Sequence, residues 1–218
     1  MSAFPFDVVV FDLDGTLADT AADIAAAVNH ALASVGRPAL RVDEVRGLVG
    51  EGARELLRKC LERTGGAPEA LLDEAFPRQL DYYAANACRG TAPYAGAEAA
   101  MDDLAARGVA LAICTNKPER ITHLLIAALG WQDRFAAVIG GDTLERRKPD
   151  PAPLLEAVAR AGGGRAAYVG DSIFDAETAK AAGIPFVAAT FGFGPAPAPG
   201  SGVALDAFDE LVPALTRM

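Results

Sequence analysis

Short apolar runs that end in polar residues recur along the chain, and the first of them is the most informative. Val8–Phe11 is four apolar residues long, and two carboxylates one residue apart, Asp12 and Asp14, come soon after it. A short continuous apolar run rich in valine is typical of a strand buried on both faces of a parallel sheet. Open α/β sheets bind ligands at the carboxyl ends of their strands, so we expect both carboxylates to face one crevice.

The close spacing of the two carboxylates limits what this crevice can contain. Two like charges held so close repel each other, so the pattern indicates a bound cation, a shared proton, or both. The alternative is an acidic turn without a ligand, in which Gly15 forms a tight bend.

Two later runs repeat this arrangement. Val109–Cys114 is followed by the polar residues 115–117, and Ala167–Val169 is followed by residues 170–175, which contain a second pair of carboxylates. Lys148 lies between these two runs. The chain therefore delivers a hydroxyl, an amine and further carboxylates to positions that follow buried strands.

The remaining pattern alternates helices with strands, which predicts an α/β fold with a Rossmann-like parallel sheet. Residues 192–202, rich in Gly and Pro, are predicted to form a loop. The further helices are predicted at Ala97–Arg107, Glu119–Leu129, Leu154–Arg160, Phe174–Ala182 and Asp206–Leu215, and the further strands at Phe135–Ile139 and Phe186–Ala189.

A long insertion separates the first two strands, because Thr115 follows Asp12 by 103 residues. A plain βαβ unit needs roughly 30 residues. The intervening pattern predicts three amphipathic helices, the first capped by Thr20 and the third kinked or split by Pro77. We therefore expect a small helical cap over residues 17–91, inserted into a catalytic core made of residues 1–16 and 92–218.

Composition agrees with a folded, acidic globular protein. Hydrophobic residues make up 51% of the chain, the net charge is −9 and the isoelectric point is near 4.7. This charge argues against nucleic acid as a partner, and no apolar segment is long enough to span a membrane. The N-terminal residues lack the pattern of a secretory signal and the three cysteines lack zinc or disulfide spacing, so we expect a cytoplasmic protein. As a separate expectation, the protein is a monomer or a homodimer.

Four motifs in this order resemble those of the haloacid dehalogenase-like (HAD) hydrolase superfamily. They are DLDGT at residues 12–16, TN at 115–116, KP at 148–149 and GDSxxD at 170–175. The resemblance covers nearly the whole chain and implies a HAD fold with a helical cap. It is greatest to the phosphoglycolate phosphatase branch, through residues 47–52, 93–96, 114–118 and 140–143.

The resemblance implies a role for each motif residue in the hydrolysis of a phosphomonoester. Asp12 would be the nucleophile that forms an aspartyl-phosphate, and Asp14 would be the general acid and base. Thr115 and the backbone of Asn116 would bind phosphoryl oxygens, and Lys148 would balance charge.

The same resemblance implies a metal site for Mg²⁺, a hard cation that prefers oxygen ligands. Asp12, the backbone carbonyl of Asp14 and Asp171 would be ligands, and Asp175 would be a ligand or would act through one.

Structural interpretations remain open for some of these residues. Lys148, which follows two arginines, could be solvated surface, and Asp150 and Pro151 beside it are typical of a helix start. Asp175 could be a first-turn acid that only complements a helix dipole. We expect Lys117 to be a surface residue before the next helix.

Candidate substrate contacts lie in the predicted cap. Gly50, Glu51 and Gly52 would open a helix whose N–H groups could attract a carboxylate, although they could also be a plain helix start. Arg46 and Arg54 are the nearest cationic residues. Glu51 departs from the uncharged polar residue that is common in this branch, and its charge would disfavour an anionic substrate.

The sequence therefore predicts a Mg²⁺-dependent hydrolase of a small phosphate ester, with 2-phosphoglycolate as the expected substrate. Alternatives are a phosphatase or mutase of a sugar phosphate and, from another class, a phospho-accepting signalling domain. The presence of Asp14 argues against a dehalogenase. The only cap lysine, Lys59, lies on an ordinary amphipathic helix, which argues against a phosphonatase.

Overall fold

A six-stranded parallel sheet forms the centre of the molecule in the computed structural model, which describes residues 4–194 and 202–218. The sheet order is β5-β4-β1-β6-β7-β8, and β2 pairs with β3 in a separate antiparallel ribbon. The predicted α/β fold is therefore confirmed. The strands are β1 Val8–Phe11, β2 Ala18–Asp19, β3 Ala92–Pro93, β4 Ala110–Cys114, β5 Ala137–Ile139, β6 Ala166–Gly170, β7 Phe186–Ala189 and β8 Val203–Leu205.

Strand β1 lies in the interior of the sheet, as its continuous apolar run predicts. Val9 and Phe11 pack into the core on one face, and Val8 and Val10 into the core on the other, because successive side chains of a strand point to opposite faces. Phe11 pairs in register with β4 on one side and β6 on the other. Residues that follow these three strands therefore meet at one edge of the sheet.

Helices cover both faces of the sheet. The helices are α1 Ala21–Ser34, α2 Val42–Arg46, α3 Ala53–Arg63, α4 Glu69–Ala85, α5 Ala97–Ala106, α6 Glu119–Ala128, α7 Ala152–Arg160, α8 Ile173–Ala182 and α9 Leu211–Thr216. The helix expected at Asp206–Leu215 is a 3₁₀ turn at Phe208–Glu210 followed by α9. Of the predicted loop at 192–202, residues 195–201 lie outside the described residues.

Helices α1 to α4 lie between β2 and β3 and share a core of their own, which includes Val28, Leu57 and Leu72. The ribbon of β2 and β3 joins the two connections to the rest of the chain, with Ala18 opposite Pro93. This agrees with the helical insertion expected from the sequence. Its role as a separate cap remains a prediction.

Three local predictions need correction. Helix α4 is a single element, Glu69–Ala85, so Pro77 does not split it, and its buried residues include Leu72 before the proline and Tyr83 after it. Thr20 is the N-cap residue of α1, as predicted, but its side chain makes no capping hydrogen bond, since its hydroxyl donates to Asp14 Oδ1 at 2.7 Å. Helix α7 begins at Ala152, two residues before the predicted Leu154. The helix start expected at Asp150 and Pro151 is present, because Ala152 N donates to Asp150 Oδ1 at 2.9 Å.

Within residues 4–194 and 202–218, no helix is both long enough and apolar enough to cross a membrane.

A buried carboxylate fastens the second connection of the insertion. Asp23 of α1 is 7% exposed and accepts hydrogen bonds from Gly90 N at 2.8 Å, Thr91 N at 3.0 Å and Thr91 Oγ1 at 2.6 Å. The carboxylate thus satisfies backbone donors just before β3, where the chain returns to the sheet. Sequence reasoning did not identify this residue.

We expect Asp23→Ala to lower the free energy of unfolding by roughly 2 kcal/mol, because it removes three hydrogen bonds to a charged acceptor. Equilibrium urea unfolding measures this change. Asp81→Ala, which alters an exposed aspartate of α4, is the matched control and should stay within about 0.5 kcal/mol of the wild type. Equal stability of the two variants would contradict the fastening role.

Candidate active site

Three buried aspartates meet at the carboxyl edge of the sheet. Asp12 follows β1, Asp171 follows β6, and Asp175 lies in the first turn of α8. One carboxylate oxygen from each lies within 4.8 Å of the others, and none of the three residues is more than 7% exposed. The strand order brings these residues together although more than 150 positions separate Asp12 from the other two along the chain.

Lys148 is the cation of this cluster and not a surface residue. Its Nζ lies 3.0 Å from Asp12 Oδ1 and donates to Asp175 Oδ1 at 2.6 Å and to Tyr168 Oη at 3.0 Å. The side chain is 2% exposed. Burial alone would lower the pKa of Lys148, but Asp12 and Asp175 more than reverse this, so the pKa lies above its ordinary value.

Asp175 holds Lys148 in place. Tyr168 Oη donates to its Oδ1 at 2.6 Å, and Ser172 N donates to its Oδ2 at 2.9 Å. Burial opposes the charge of Asp175, but the ion pair with Lys148 and these hydrogen bonds hold its pKa below the ordinary value. Asp175 therefore does more than complement the dipole of α8.

The negative charges of Asp12 and Asp171 are less well compensated by nearby positive charge and hydrogen bonds than that of Asp175. Burial raises the pKa of Asp12 from 3.8 to about 8; Lys148 opposes this rise, and Asp175, Asp171 and Asp14 add to it. Burial and the charge of Asp175 raise the pKa of Asp171 to about 6. The crowded carboxylates thus need more positive charge than Lys148 supplies to remain ionised together at neutral pH.

These residues suit a hard divalent cation. Asp12 Oδ1 is buried and accepts no hydrogen bond from any described residue, although it touches the ammonium of Lys148. Asp171 is oriented by Thr16 Oγ1, which donates to its Oδ1 at 2.8 Å, and by Phe193 N, which donates to its Oδ2 at 2.8 Å. An all-carboxylate donor set with one unbonded oxygen fits a cation that prefers oxygen ligands.

Gly15 permits the close approach of the loop after β1 to Asp171. Its φ is +85°, and a Cβ atom there would lie 2.5 Å from Asp171 Oδ2. Only glycine adopts this conformation without strain and leaves room for the carboxylate. The tight bend that the sequence indicated is present, and it lies against the aspartate cluster.

Lys117 is buried, which makes the predicted surface position wrong. Its Nζ donates to Asp14 Oδ1 at 2.9 Å and to Tyr83 Oη at 2.6 Å, and its side chain is 3% exposed. Burial alone would lower the pKa of Lys117, but Asp14 and Tyr83 raise it above its ordinary value. The backbone turn after β4 points the Lys117 side chain inwards. The sequence signal for a buried position was that Lys117 directly follows two predicted site residues, Thr115 and Asn116.

Asn116 connects the helical insertion to the sheet edge. Its Nδ2 donates to Gly50 O at 2.8 Å and to Lys148 O at 3.1 Å, and its Oδ1 accepts from Lys148 N at 3.1 Å. The side-chain amide is therefore fully used, which leaves the backbone of Asn116 for a ligand. Thr115 is 3% exposed and lines the same cavity.

The cap candidates divide into two groups. Gly50 and Gly52 line the cavity, and Gly52 is the N-cap residue of α3. Glu51 pairs with Lys59, which neutralises the charge that was expected to repel an anion. Arg54 pairs with Glu69 and Asp73 on the exposed side of the helices.

Arg46 contacts a residue of the cavity lining without lining the cavity itself. It pairs with Asp19 at 2.9 Å, and its guanidinium lies 4.8 Å from the ring centroid of Phe193, which lines the cavity. Glu51, Arg46 and Arg54 are not among the residues that line the cavity in the described part of the chain.

Comparisons with known proteins agree with this geometry. The model of the family described as haloacid dehalogenase-like hydrolase matches residues 9–189. A phosphoglycolate phosphatase of Cereibacter sphaeroides (strain ATCC 17029) is 44% identical over 190 residues, which cover 87% of each chain. One from Agrobacterium fabrum is 39% identical over 211 residues, 94% of this chain and 91% of the relative.

A solved structure gives the same picture at the level of the fold. The crystal structure of a predicted phosphoglycolate phosphatase from Haemophilus somnus 129pt superposes with a TM-score of 0.87 at 29% identity. The match covers 95% of this chain and 97% of that one. The sheet and the helical insertion are therefore both within the matched region.

We expect Asp12→Asn to stabilise the protein against heat when divalent cations are removed. Folded Asp12 keeps its proton up to about pH 8, whereas the unfolded side chain loses it near pH 3.8, so wild-type stability is lost as the pH rises between these values. At pH 8 in EDTA the variant should unfold roughly 2 to 4 °C above the wild type.

Thermal unfolding followed by circular dichroism at pH 5 and pH 8 measures this difference, which should shrink at the lower pH. A divalent cation should raise the midpoint of the wild type more than that of the variant. A wild type that is the more stable protein at pH 8 in EDTA would contradict the charge crowding at Asp12.

Proposed function

The chain belongs to the haloacid dehalogenase-like hydrolase family, and on that premise we propose that it is a Mg²⁺-dependent phosphoglycolate phosphatase. The observation that carries this proposal is the position of Asp12: a buried carboxylate at the end of β1, with an unbonded oxygen, beside the ammonium of Lys148 and facing a cavity. A phosphoryl group bound there meets a nucleophile and positive charge together.

The reaction proceeds in two displacements. A carboxylate oxygen of Asp12 attacks phosphorus, the bond from phosphorus to the ester oxygen breaks, and an aspartyl-phosphate forms. A water molecule then attacks this phosphorus, the bond from phosphorus to Asp12 breaks, and inorganic phosphate leaves. Asp12 returns to its original state.

Asp14 carries the proton in both steps. As a general acid it protonates the leaving alkoxide, and as a general base it removes a proton from the attacking water. Its carboxylate lies in the cavity between Thr20 and Lys117, which donate to it and fix its orientation. Fixed orientation matters because proton transfer requires hydrogen-bond distance to the reacting oxygen.

The phosphoryl oxygens are held by Thr115, by the backbone of Asn116 and by Lys148. Lys148 supplies a positive charge in a fixed position, because its ammonium is hydrogen-bonded to Asp175 and Tyr168. Such preorganised charge costs no rearrangement when negative charge develops in the transition state.

Asp12, the backbone carbonyl of Asp14 and Asp171 would hold Mg²⁺, and Asp175 would act through Lys148. When bound, the cation neutralises the phosphoryl oxygens and the crowded carboxylates. The raised pKa values of Asp12 and Asp171 support this assignment, since both groups must be ionised for catalysis.

Residues 17–91 act as a cap over the core made of residues 1–16 and 92–218. Gly50 supports this role, because its backbone carbonyl accepts from Asn116 and a Cβ atom on it would lie 2.9 Å from the ring of Phe174. The cap thus reaches the sheet edge closely enough to exclude water from the reacting groups. The ribbon of β2 and β3 is the hinge.

The substrate follows from the relatives and from the cavity. Relatives that share about 40% of their residues with this chain are named phosphoglycolate phosphatases. Ion pairing of Glu51 with Lys59 removes the main objection to an anionic substrate. The cytoplasmic location and the monomeric or homodimeric state stay predictions.

Asp12→Asn should lower kcat at least roughly 10⁴-fold, because the amide cannot act as the nucleophile. EDTA should stop the wild type, and added Mg²⁺ should restore it. Release of inorganic phosphate measures both effects. Asp133→Asn, which alters an exposed aspartate, is the control and should retain activity. Turnover by Asp12→Asn would remove the assignment of the nucleophile.

A panel of small phosphate esters tests the substrate. We expect kcat/KM for 2-phosphoglycolate to exceed that for glucose 6-phosphate, glucose 1-phosphate and p-nitrophenyl phosphate. A sugar phosphate that ranks first, or one that is isomerised instead of hydrolysed, would replace the proposed substrate and leave the phosphoryl chemistry in place.

A further inference from the structure

The leaving-group side of the cavity carries three polar side chains, of which the proposed chemistry uses only Lys117, as a donor to Asp14. Gln79 and Tyr83 lie one turn apart on α4, and both line the cavity. Lys117, which follows β4, meets Tyr83 there and also lines the cavity. Helix α4 and the sheet edge thus contribute to one polar cluster, which we call the α4 cluster: Gln79, Tyr83 and Lys117.

Two members of the α4 cluster have unused hydrogen-bonding capacity. Gln79 is 2% exposed, and its Oε1 has no partner among the described residues. Tyr83 Oη accepts from Lys117, so its own O–H is free to donate, and no acceptor for it lies within residues 4–194 and 202–218. Buried polar groups without partners are costly. An anionic ligand would accept from the O–H of Tyr83, and it could bond Gln79 only through the NH₂ group, because Oε1 is itself an acceptor.

The protonation of Tyr83 suits a donor. Burial raises the pKa of Tyr83, the nearby charge of Lys117 opposes part of that rise, and the resulting pKa is about 12. The hydroxyl therefore keeps its proton at neutral pH. The amide of Gln79 can turn about its last bond and present its NH₂ group, because that torsion has two nearly equivalent positions. The α4 cluster can therefore offer a hydroxyl donor, an amide donor and the nearby positive charge of Lys117 to one anion, while the N–H groups of Lys117 donate to Asp14 and Tyr83.

The two buried ammonium groups lie at different parts of the cavity. Lys148 contacts Asp12 and Asp175, where the phosphoryl group would bind. Lys117 contacts Asp14, the group that protonates the leaving oxygen. The second cation is therefore placed for the part of the substrate that departs.

Substrate chemistry connects these positions. In 2-phosphoglycolate a single CH₂ group separates the ester oxygen from the carboxylate. Lys117 Nζ lies 2.9 Å from Asp14 Oδ1 and 2.6 Å from Tyr83 Oη, so a carboxylate one CH₂ group away from an ester oxygen at Asp14 can reach the α4 cluster. An anion there would meet the free O–H of Tyr83 and the charge of Lys117.

We propose that Lys117, Tyr83 and Gln79 form the receptor for a carboxylate on the leaving group and thereby determine the substrate. This inference rests on the proposed function. Of the three, Lys117 supplies charge, and Tyr83 and Gln79 supply directed hydrogen bonds.

The rest of the cap-side lining is apolar and explains what the receptor rejects. Ile24, Leu56 and Leu80 line the cavity beside the α4 cluster. A sugar phosphate would place several hydroxyl groups against these side chains without hydrogen-bond partners, which is costly. A short substrate with one terminal anion leaves no such groups unpaired.

Paired kinetics on 2-phosphoglycolate and ethyl phosphate test the receptor, because ethyl phosphate carries a methyl group where the carboxylate stands. For Tyr83→Phe and for Gln79→Leu, the ratio of the two kcat/KM values should fall roughly 10- to 100-fold, the loss of one hydrogen bond to a charged group. Tyr82→Phe is the matched control, since Tyr82 stacks on His30 with ring centroids 4.5 Å apart and does not line the cavity.

Each outcome decides between the claims. If Tyr83 and Gln79 have a purely structural role, their variants should lose turnover of both esters equally, and the ratio of the two kcat/KM values should not change. That result would overturn the receptor. The proposed function would still stand if the wild type prefers 2-phosphoglycolate. A wild type without preference for 2-phosphoglycolate over ethyl phosphate would overturn the proposed substrate and the receptor together. A lowered ratio in either variant, with Tyr82→Phe unchanged, supports the receptor.

Discussion

The ion pair between Lys148 and the buried aspartates is the constraint on which the site depends. A buried ammonium is tolerated only where carboxylates and hydrogen bonds compensate its lost hydration. Asp175 and Tyr168 supply this compensation at one end of Lys148, which leaves its charge directed at Asp12. The arrangement exists because the segments that follow β1, β5 and β6 meet at the same edge of the parallel sheet.

An acidic protein that acts on an anion must concentrate its positive charge. The net charge is −9, and only four lysines occur in the chain. Two of them, Lys117 and Lys148, are buried in the same cavity, each against an aspartate. Because these charges are shielded from solvent, they interact strongly over short distances while the surface remains acidic.

Contacts between the helical insertion and the sheet edge link recognition to chemistry. Asn116 bonds the carbonyl of Gly50 and the backbone of Lys148, and Lys117 bonds Tyr83 and Asp14. Neighbouring residues after one strand therefore connect the insertion to both halves of the reaction. Under the proposed function, these contacts would couple substrate selection by the insertion to phosphoryl transfer at the sheet edge.

The sequence by itself determined the strand ends, the α/β class and the motif residues, because these depend on local hydrophobic pattern and on order along the chain. The tertiary structure alone decided that Lys117 is buried, that Glu51 is neutralised by Lys59, and that Arg54 faces away from the cavity. Burial and ion pairing of a charged side chain depend on groups brought from distant positions, such as Tyr83 against Lys117. No periodicity in the sequence encodes that proximity, which only the packing of α4 over the sheet edge creates.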